Sequence, residues 1–188
     1  MKSLRVLLTV VLISFSTLAF AQSHALDSVV PSDAQKSFDK LKTLAGTWQG
    51  PITVDPARGD VKKGTIGQIT MRVTSRGNAL VHEMQEAATP LDATKYDHPV
   101  TMIYLDGDRL TLIHYCDAGN RPRMTGKLSP DGTKVEFDFV DLSGGNQYGH
   151  MYHALFTIID ANHHIEDWTY MMPGDQPVHA HMDLVKSN

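Results

Sequence analysis

From residue 46 onward, apolar and polar side chains alternate in short runs separated by turn signals. In "KVEFDFV" (134–140), Val135, Phe137 and Phe139 fall on one side and Glu136 and Asp138 on the other. A strand burying one face needs that period of two. Turn residues cluster at "SRGN" (75–78), "DGD" (106–108), "SPDGT" (129–133), "DANH" (160–163) and "PGDQP" (173–177). The segments between such turns read as strands: "GTWQGPITV", "GTIGQITMRV", "NALVHEMQE", "VTMIYL", "RLTLIHYC", "PRMTGKL", "KVEFDFV", "HMYHALFTIID", "HIEDWTYMM" and "VHAHMDLVK". No helical crossover lies between them, so a parallel sheet is excluded in favour of an antiparallel meander. About ten strands joined by mostly tight, sequential hairpins hide their edges best by closing into an up-and-down barrel, with a sandwich as the other solution. Such a barrel is somewhat wider than one of eight strands and has room for a small ligand.

One stretch has a different period. In "SDAQKSFDKLKTLAG" (32–46), Ala34, Phe38, Leu41 and Ala45 lie along one helical face, and Ser32 with Gln35 forms a capping box. Gly46 is placed to end that helix. Its other face is charged, so it should lie on the barrel as a lid or plug.

The N-terminus, "MKSLRVLLTVVLISFSTLAFAQ", has Lys2 and Arg5, an apolar run from Val6 to Leu18, and Ala19-Phe20-Ala21 before Gln22. This is the pattern of a secretory signal peptide cleaved after Ala21. The run is short for a membrane span, so no transmembrane segment is expected after cleavage. Residues 22–31 read as an untied stub and 32–188 as the barrel domain. The expected location is the periplasm or the exterior.

The formal net charge of the whole chain is −4, and loss of the leader's two cations makes the remainder more acidic. That balance lacks the electrostatic footprint of a nucleic-acid binder and the basic stripe that anionic lipid attracts. A single cysteine, Cys116, excludes an internal disulfide, so packing must hold the fold.

"LKTLAGTWQG" (41–50) resembles the Gly-x-Trp opening of calycin barrels, the group of lipocalins, fatty-acid-binding proteins and nitrobindins, with Gly46 and Trp48 carrying the match. The resemblance implies a short helix before the first strand and a tryptophan plugging one barrel end. "HYCDAGNRPRM" and "DANHHIEDWTY" are similar to an uncharacterised group of secreted bacterial lipocalin-like proteins. Nitrobindins bind haem through a histidine on the last strand, in a pattern His-Leu-x-Ala-x-Leu-x-Arg. "HAHMDLVK" fits that frame loosely, with His179 and Leu184 identical to it.

Three groups of residues carry candidate chemistry. His114 and Cys116, two apart on a strand, share a face, and a neighbouring imidazole lowers a thiol pKa. With Asn120, Arg121 and Arg123 as donors they outline a cysteine nucleophile. The plainer alternative is a buried thiol beside a hydrogen-bonded histidine. In "HHIEDWTY", an inward Trp168 brings His164, Glu166 and Tyr170 inward with it and leaves Asp167 to solvent. Finally, the chain has ten histidines. His179 and His181 share one strand face and His82 stands two before Met84, ligand types suited to zinc or copper, yet no local spacing supplies the three or four ligands that a zinc site requires. Val178, Ala180, Met182 and Leu184 make the more apolar face of that last strand, which argues that His179 and His181 face solvent.

The sequence therefore points to an exported barrel holding a small apolar or amphipathic molecule. His82, His114, Glu166, Trp168 and Tyr170 are expected to line its pocket, with Asn120 and Arg123 at the mouth. The alternatives are an enzyme built on Cys116 and His114, or a protein with histidine-ligated haem or a divalent metal.

Overall fold

The computed structural model describes residues 30–58 and 61–187. The leader and residues 22–29 of the stub lie outside them. Helix α1 (Asp33–Lys42) is followed by strands β1 (Gly46–Asp55), β2 (Ile66–Thr74), β3 (Ala79–Glu86), β4 (Val100–Asp106) and β5 (Arg109–Tyr115). The chain continues through β6 (Arg121–Leu128), β7 (Lys134–Ser143), β8 (His150–Asp160), β9 (His163–Met172) and β10 (Gln176–Lys186). Each strand pairs antiparallel with the next, and β1 also pairs with β10, so the sheet closes as the hairpin pattern requires. At the seam Trp48 stands opposite Lys186 and Asp55 opposite His179.

Two positions show how tightly that seam is drawn. A Cβ at Gly50 would lie 1.8 Å from the backbone oxygen of Asp183, so only glycine lets β1 and β10 approach there. On the opposite side, a Cβ at Gly126 would meet the Phe137 ring at 2.6 Å; the missing side chain on β6 is the space that ring fills.

Helix α1 begins at Ser32, whose hydroxyl accepts from the Gln35 backbone N–H at 3.1 Å, as a capping residue should. The reciprocal half of the expected box does not form, because the Gln35 amide donates to Asp39 instead. Nor does Gly46 end the helix. Thr43 caps it, Leu44 and Ala45 continue into a turn, and Gly46 opens β1 at φ 145°. Phe38, Leu41 and Leu44 are buried with Trp48 across one end of the barrel. The Trp48 indole N–H donates to the Leu44 carbonyl at 2.8 Å, and the Ser37 hydroxyl accepts from the Leu128 amide at 3.1 Å. The helix is thus a plug. Each of its large apolar side chains adds about 1.5–3 kcal/mol by burial.

Within the wall, the inward positions are the apolar ones the alternation marked: Ile69, Leu80, Ile103, Leu112, Met124, Val135, Phe137, Phe156 and Leu184 are all fully buried. Among the described residues, no helix is long and apolar enough to cross a membrane.

Candidate functional site

Strand β9 runs the length of the barrel and presents alternate residues to its interior. Starting at the plugged end, His164 meets Trp48 edge-on with ring centroids 4.3 Å apart. Glu166 follows, then Trp168, then Tyr170 and Met172 at the open end. His164, Glu166 and Trp168 are 0, 0 and 2 % exposed. Inward placement of this set was predicted from Asp167, which indeed takes the outer face and pairs with His181 at 2.7 Å.

Glu166 is the centre of a buried polar layer. Its Oε2 accepts from His82 Nε2 and from the Trp168 indole N–H, each at 2.9 Å, and its Oε1 accepts from His164 Nε2 at 3.0 Å. Burial opposes the charge on this carboxyl. The charge on His82, the hydrogen bonds from His164 and His82, and the charge on His164 outweigh that penalty and hold it below the usual carboxylate range. With both Nε2 atoms turned to Glu166, the Nδ1 atoms of His82 and His164 are buried without partners. His114 sits beside Trp168 with ring centroids 5.7 Å apart, and its Nδ1 shares a 2.8 Å hydrogen bond with the Thr101 hydroxyl. Burial, and next the charge on His82, push the His114 pKa down to about 3, so its imidazole is neutral.

Above Trp168 the barrel is hollow. A pocket of about 640 Å³ opens at the end opposite α1. Val54, Met151, Trp168, Met172, Val178 and Ala180 form its apolar wall, and Tyr170, Tyr148, Gln147, Asp97, Asp117 and Arg58 its polar positions. The Tyr170 hydroxyl donates to the Tyr148 carbonyl at 3.0 Å, tying the β7–β8 loop to the wall. Burial, ahead of the nearby Cys116 and Asp117, pushes the Tyr170 phenol up to about 12. Asp97 stands at the rim with solvent on one side. Desolvation by the protein on its other side comes first, the like charge of Asp117 second, and together they push its carboxyl up to about 6 against the easing effect of His98.

The residues singled out in the sequence divide among these places. Trp168 and Tyr170 line the pocket, whereas His82, His114 and Glu166 lie beneath it in the polar layer and support Trp168 from below. Asn120 is buried, and its amide donates to the carbonyls of Gly145 at 3.0 Å and Gly149 at 2.7 Å. It clips the loop that carries Gln147 and Tyr148 rather than offering itself at the mouth. Arg123 is placed differently from expectation: Asp141, opposite it in the β6–β7 pairing, takes up its guanidinium, and it does not border the pocket.

Cys116 lies half-buried near Tyr170 and does not pair with His114. β5 ends at Tyr115, and Cys116 opens a turn closed by the Gly119 amide on its carbonyl. Its thiol points to Asp117 at 3.4 Å. Burial first, opposed by a backbone hydrogen bond from Ala118 and reinforced by Asp117 and Asp97, pushes its pKa up to about 11, and His114 is engaged with Thr101 instead. An activated thiol needs the opposite environment.

His179 and His181 lie on the outer wall, bonded to Thr169 and Asp167. A group inside the barrel is out of reach of His179, so the haem ligand implied by the nitrobindin resemblance does not fit. Among the described residues, one set of three possible metal ligands converges: Glu136, Asp138 and His153, also on the outer wall. Lys127 already lies 3.7 and 3.6 Å from its two carboxylates.

The rim acids Asp97 and Asp117, with Tyr148, were not singled out in the sequence. They sit in loops, where no periodicity marks a direction, and only closure of the barrel brings them to one opening.

A closed ten-strand antiparallel barrel with a helix across one end and a pocket at the other is a calycin-like barrel. Solved structures share the fold, and two illustrate it. Rv2717c from M. tuberculosis superposes with a TM-score of 0.58 at 11 % identity, over 81 % of this chain and 98 % of that one. A protein of unknown function from the DUF3598 family of Nostoc punctiforme gives 0.54 at 9 % identity, over 78 % of this chain and 48 % of that one, so this chain spans about half its length. At these identities the likeness concerns the fold alone. No protein-family model and no curated protein matches the chain.

Proposed function

We propose that this protein is an exported carrier that holds a small, largely apolar or amphipathic molecule in the open end of its barrel. The observation that carries this reading is the pocket of about 640 Å³ above Trp168. Its size falls within the range of small-molecule sites, and its apolar wall with a few polar groups is their usual composition. The N-terminal pattern of cations, apolar run and small residues supports export. Affinity comes from apolar burial against Met151, Trp168 and Val178, and selectivity from the polar rim.

Native mass spectrometry of the protein recovered from the periplasm, with an absorption spectrum, tests both parts. A bound small-molecule mass and an N-terminus at Gln22 are expected. A protein retained in the cytoplasm with its leader intact would refute export. A chain that carries no ligand and takes up no apolar fluorescent probe would refute carriage.

A further inference from the structure

The chemistry around the pocket's opening narrows the class of its occupant, an inference that rests on the carrier reading above. The rim brings together two carboxylates, Asp97 from the β3–β4 loop and Asp117 from the β5–β6 turn. Tyr170 lies close enough to Asp117 to feel its charge, and Tyr148 stands beside it on the same wall. At the floor, the Trp168 N–H donates to a buried carboxylate, Glu166, which adds electron density to the indole. Aromatic faces so placed attract cations.

Arg58 also lines the pocket; its charge opposes that of Asp117 at Tyr170, and its Nη1 lies 3.3 Å from the Met172 Sδ. Two carboxylates against this one guanidinium leave the lining acidic. Lys95 borders the neighbouring pocket and is 3.5 Å from Asp92. His98 follows Asp97 and only partly offsets the effect of Asp117 on it. A fatty-acid carboxylate entering here would meet two like charges at the opening, whereas an ammonium group would meet two counter-charges and two phenol rings.

We propose that the pocket takes an organic cation, an amine or quaternary ammonium on an apolar body, with its head between Asp97 and Asp117 and its body over Trp168. The apolar wall accounts for the body, the paired carboxylates and tyrosines for the head.

The test is calorimetric titration of the full-length mature protein with three naphthalene probes of similar size. One is neutral (N-phenyl-1-naphthylamine), one anionic (1-anilinonaphthalene-8-sulfonate) and one cationic (a naphthylmethyl-trimethylammonium salt). The cationic probe should bind about tenfold more tightly than the anionic one, the scale of a close charge contact at a partly solvated site. In the Asp97→Asn, Asp117→Asn double variant that preference should vanish while the neutral probe's affinity stays within about twofold, which also reports an intact pocket. Neutral and anionic probes that bind as well as the cation, or a cation preference that survives in the double variant, would overturn the ligand class and leave the carrier reading standing. Failure of all three probes to bind would overturn both.

Discussion

Replacing Glu166 by glutamine is the sharpest test of the buried layer. The carboxylate accepts three N–H groups, from His82, His164 and Trp168, and all four side chains are nearly inaccessible to solvent. Glutamine keeps the shape but offers one carbonyl oxygen and an NH₂ group. At least one of the three donors then faces another donor. A buried polar group without a partner costs about 1–3 kcal/mol, and loss of a charge-assisted bond adds about 1.5–3. A histidine that moves its proton to Nδ1 recovers part of this by accepting from the amide, so the net loss should be about 2–4 kcal/mol. Leucine satisfies none of the three donors and should cost about 3–5 kcal/mol, the range for breaking a buried charge network. Urea unfolding at pH 7, followed by tryptophan fluorescence, measures both. The sign of the pH dependence is also determined. Glu166 has a folded pKa below its ordinary value of 4.5, so its stabilisation is present above pH 4.5 and is lost as pH falls towards the folded value. The gap between wild type and Glu166→Gln should therefore narrow by up to about 1.4 kcal/mol per pH unit below 4.5. A glutamine variant as stable as wild type, or a gap that stays constant from pH 5 to pH 3, would refute an ionised Glu166.

Other consequences can be measured separately. Phe38→Ala should remove about 3–5 kcal/mol of stability by emptying the plug, with probe binding at the far end unchanged in material that remains folded. Asn120→Ala leaves two loop carbonyls without their buried donor, so it should cost about 1–3 kcal/mol and weaken probe binding through Tyr148, whereas Arg123→Ala should leave probe affinity unaltered. Iodoacetamide should label native Cys116 about a hundredfold more slowly at pH 7.5 than the same chain in urea, since the pKa rises from 9.0 to about 11; equal rates would contradict the burial of the thiol. Cationic-probe affinity should fall as pH drops from 7.5 to 5, because Asp97, with a pKa of about 6, takes up a proton. The neutral probe should show no such trend.

The strands were legible in the sequence because alternation is a direct consequence of pleat geometry, and a closed barrel makes the same demand on every strand. All ten lie within a few residues of the segments that alternation marked. The interior direction of β9 was readable for a similar reason: Asp167 had to face water, and that single choice oriented Glu166 and Trp168. What alternation does not contain is depth along the barrel axis. His82, His114 and Glu166 share an inward direction with Tyr170, yet they lie below Trp168 while Tyr170 lies above it. Loops escape the pattern altogether. Nothing in "GNRPRM" distinguishes an asparagine that clips a neighbouring loop from one that meets a ligand, nor an arginine drawn outward by Asp141, because the loop carbonyls come from another hairpin and Asp141 from the facing strand, 18 residues on. The Cys116–His114 pair does not form for a local reason: β5 ends one residue before Cys116, whose thiol turns to Asp117 while His114 bonds Thr101.

Depth also explains why a polar layer sits inside an otherwise apolar barrel. Below it, Trp48, Leu44, Phe38 and their neighbours are buried together; above it, the pocket is open. A purely apolar floor at this level would tolerate a tilted or displaced indole, since dispersion has little directional preference. Glu166 fixes Trp168 through a directed N–H bond and is itself held by His82 from β3 and His164 from its own strand. The network therefore ties β9 to a strand that is not its neighbour in the sheet. A one-residue slip of β9 would turn Asp167 and Thr169 inward and break all three bonds at once. Register and pocket floor thus depend on the same carboxylate. The Glu166 variants should consequently show altered Trp168 emission and weakened probe binding together, even under conditions where they remain folded.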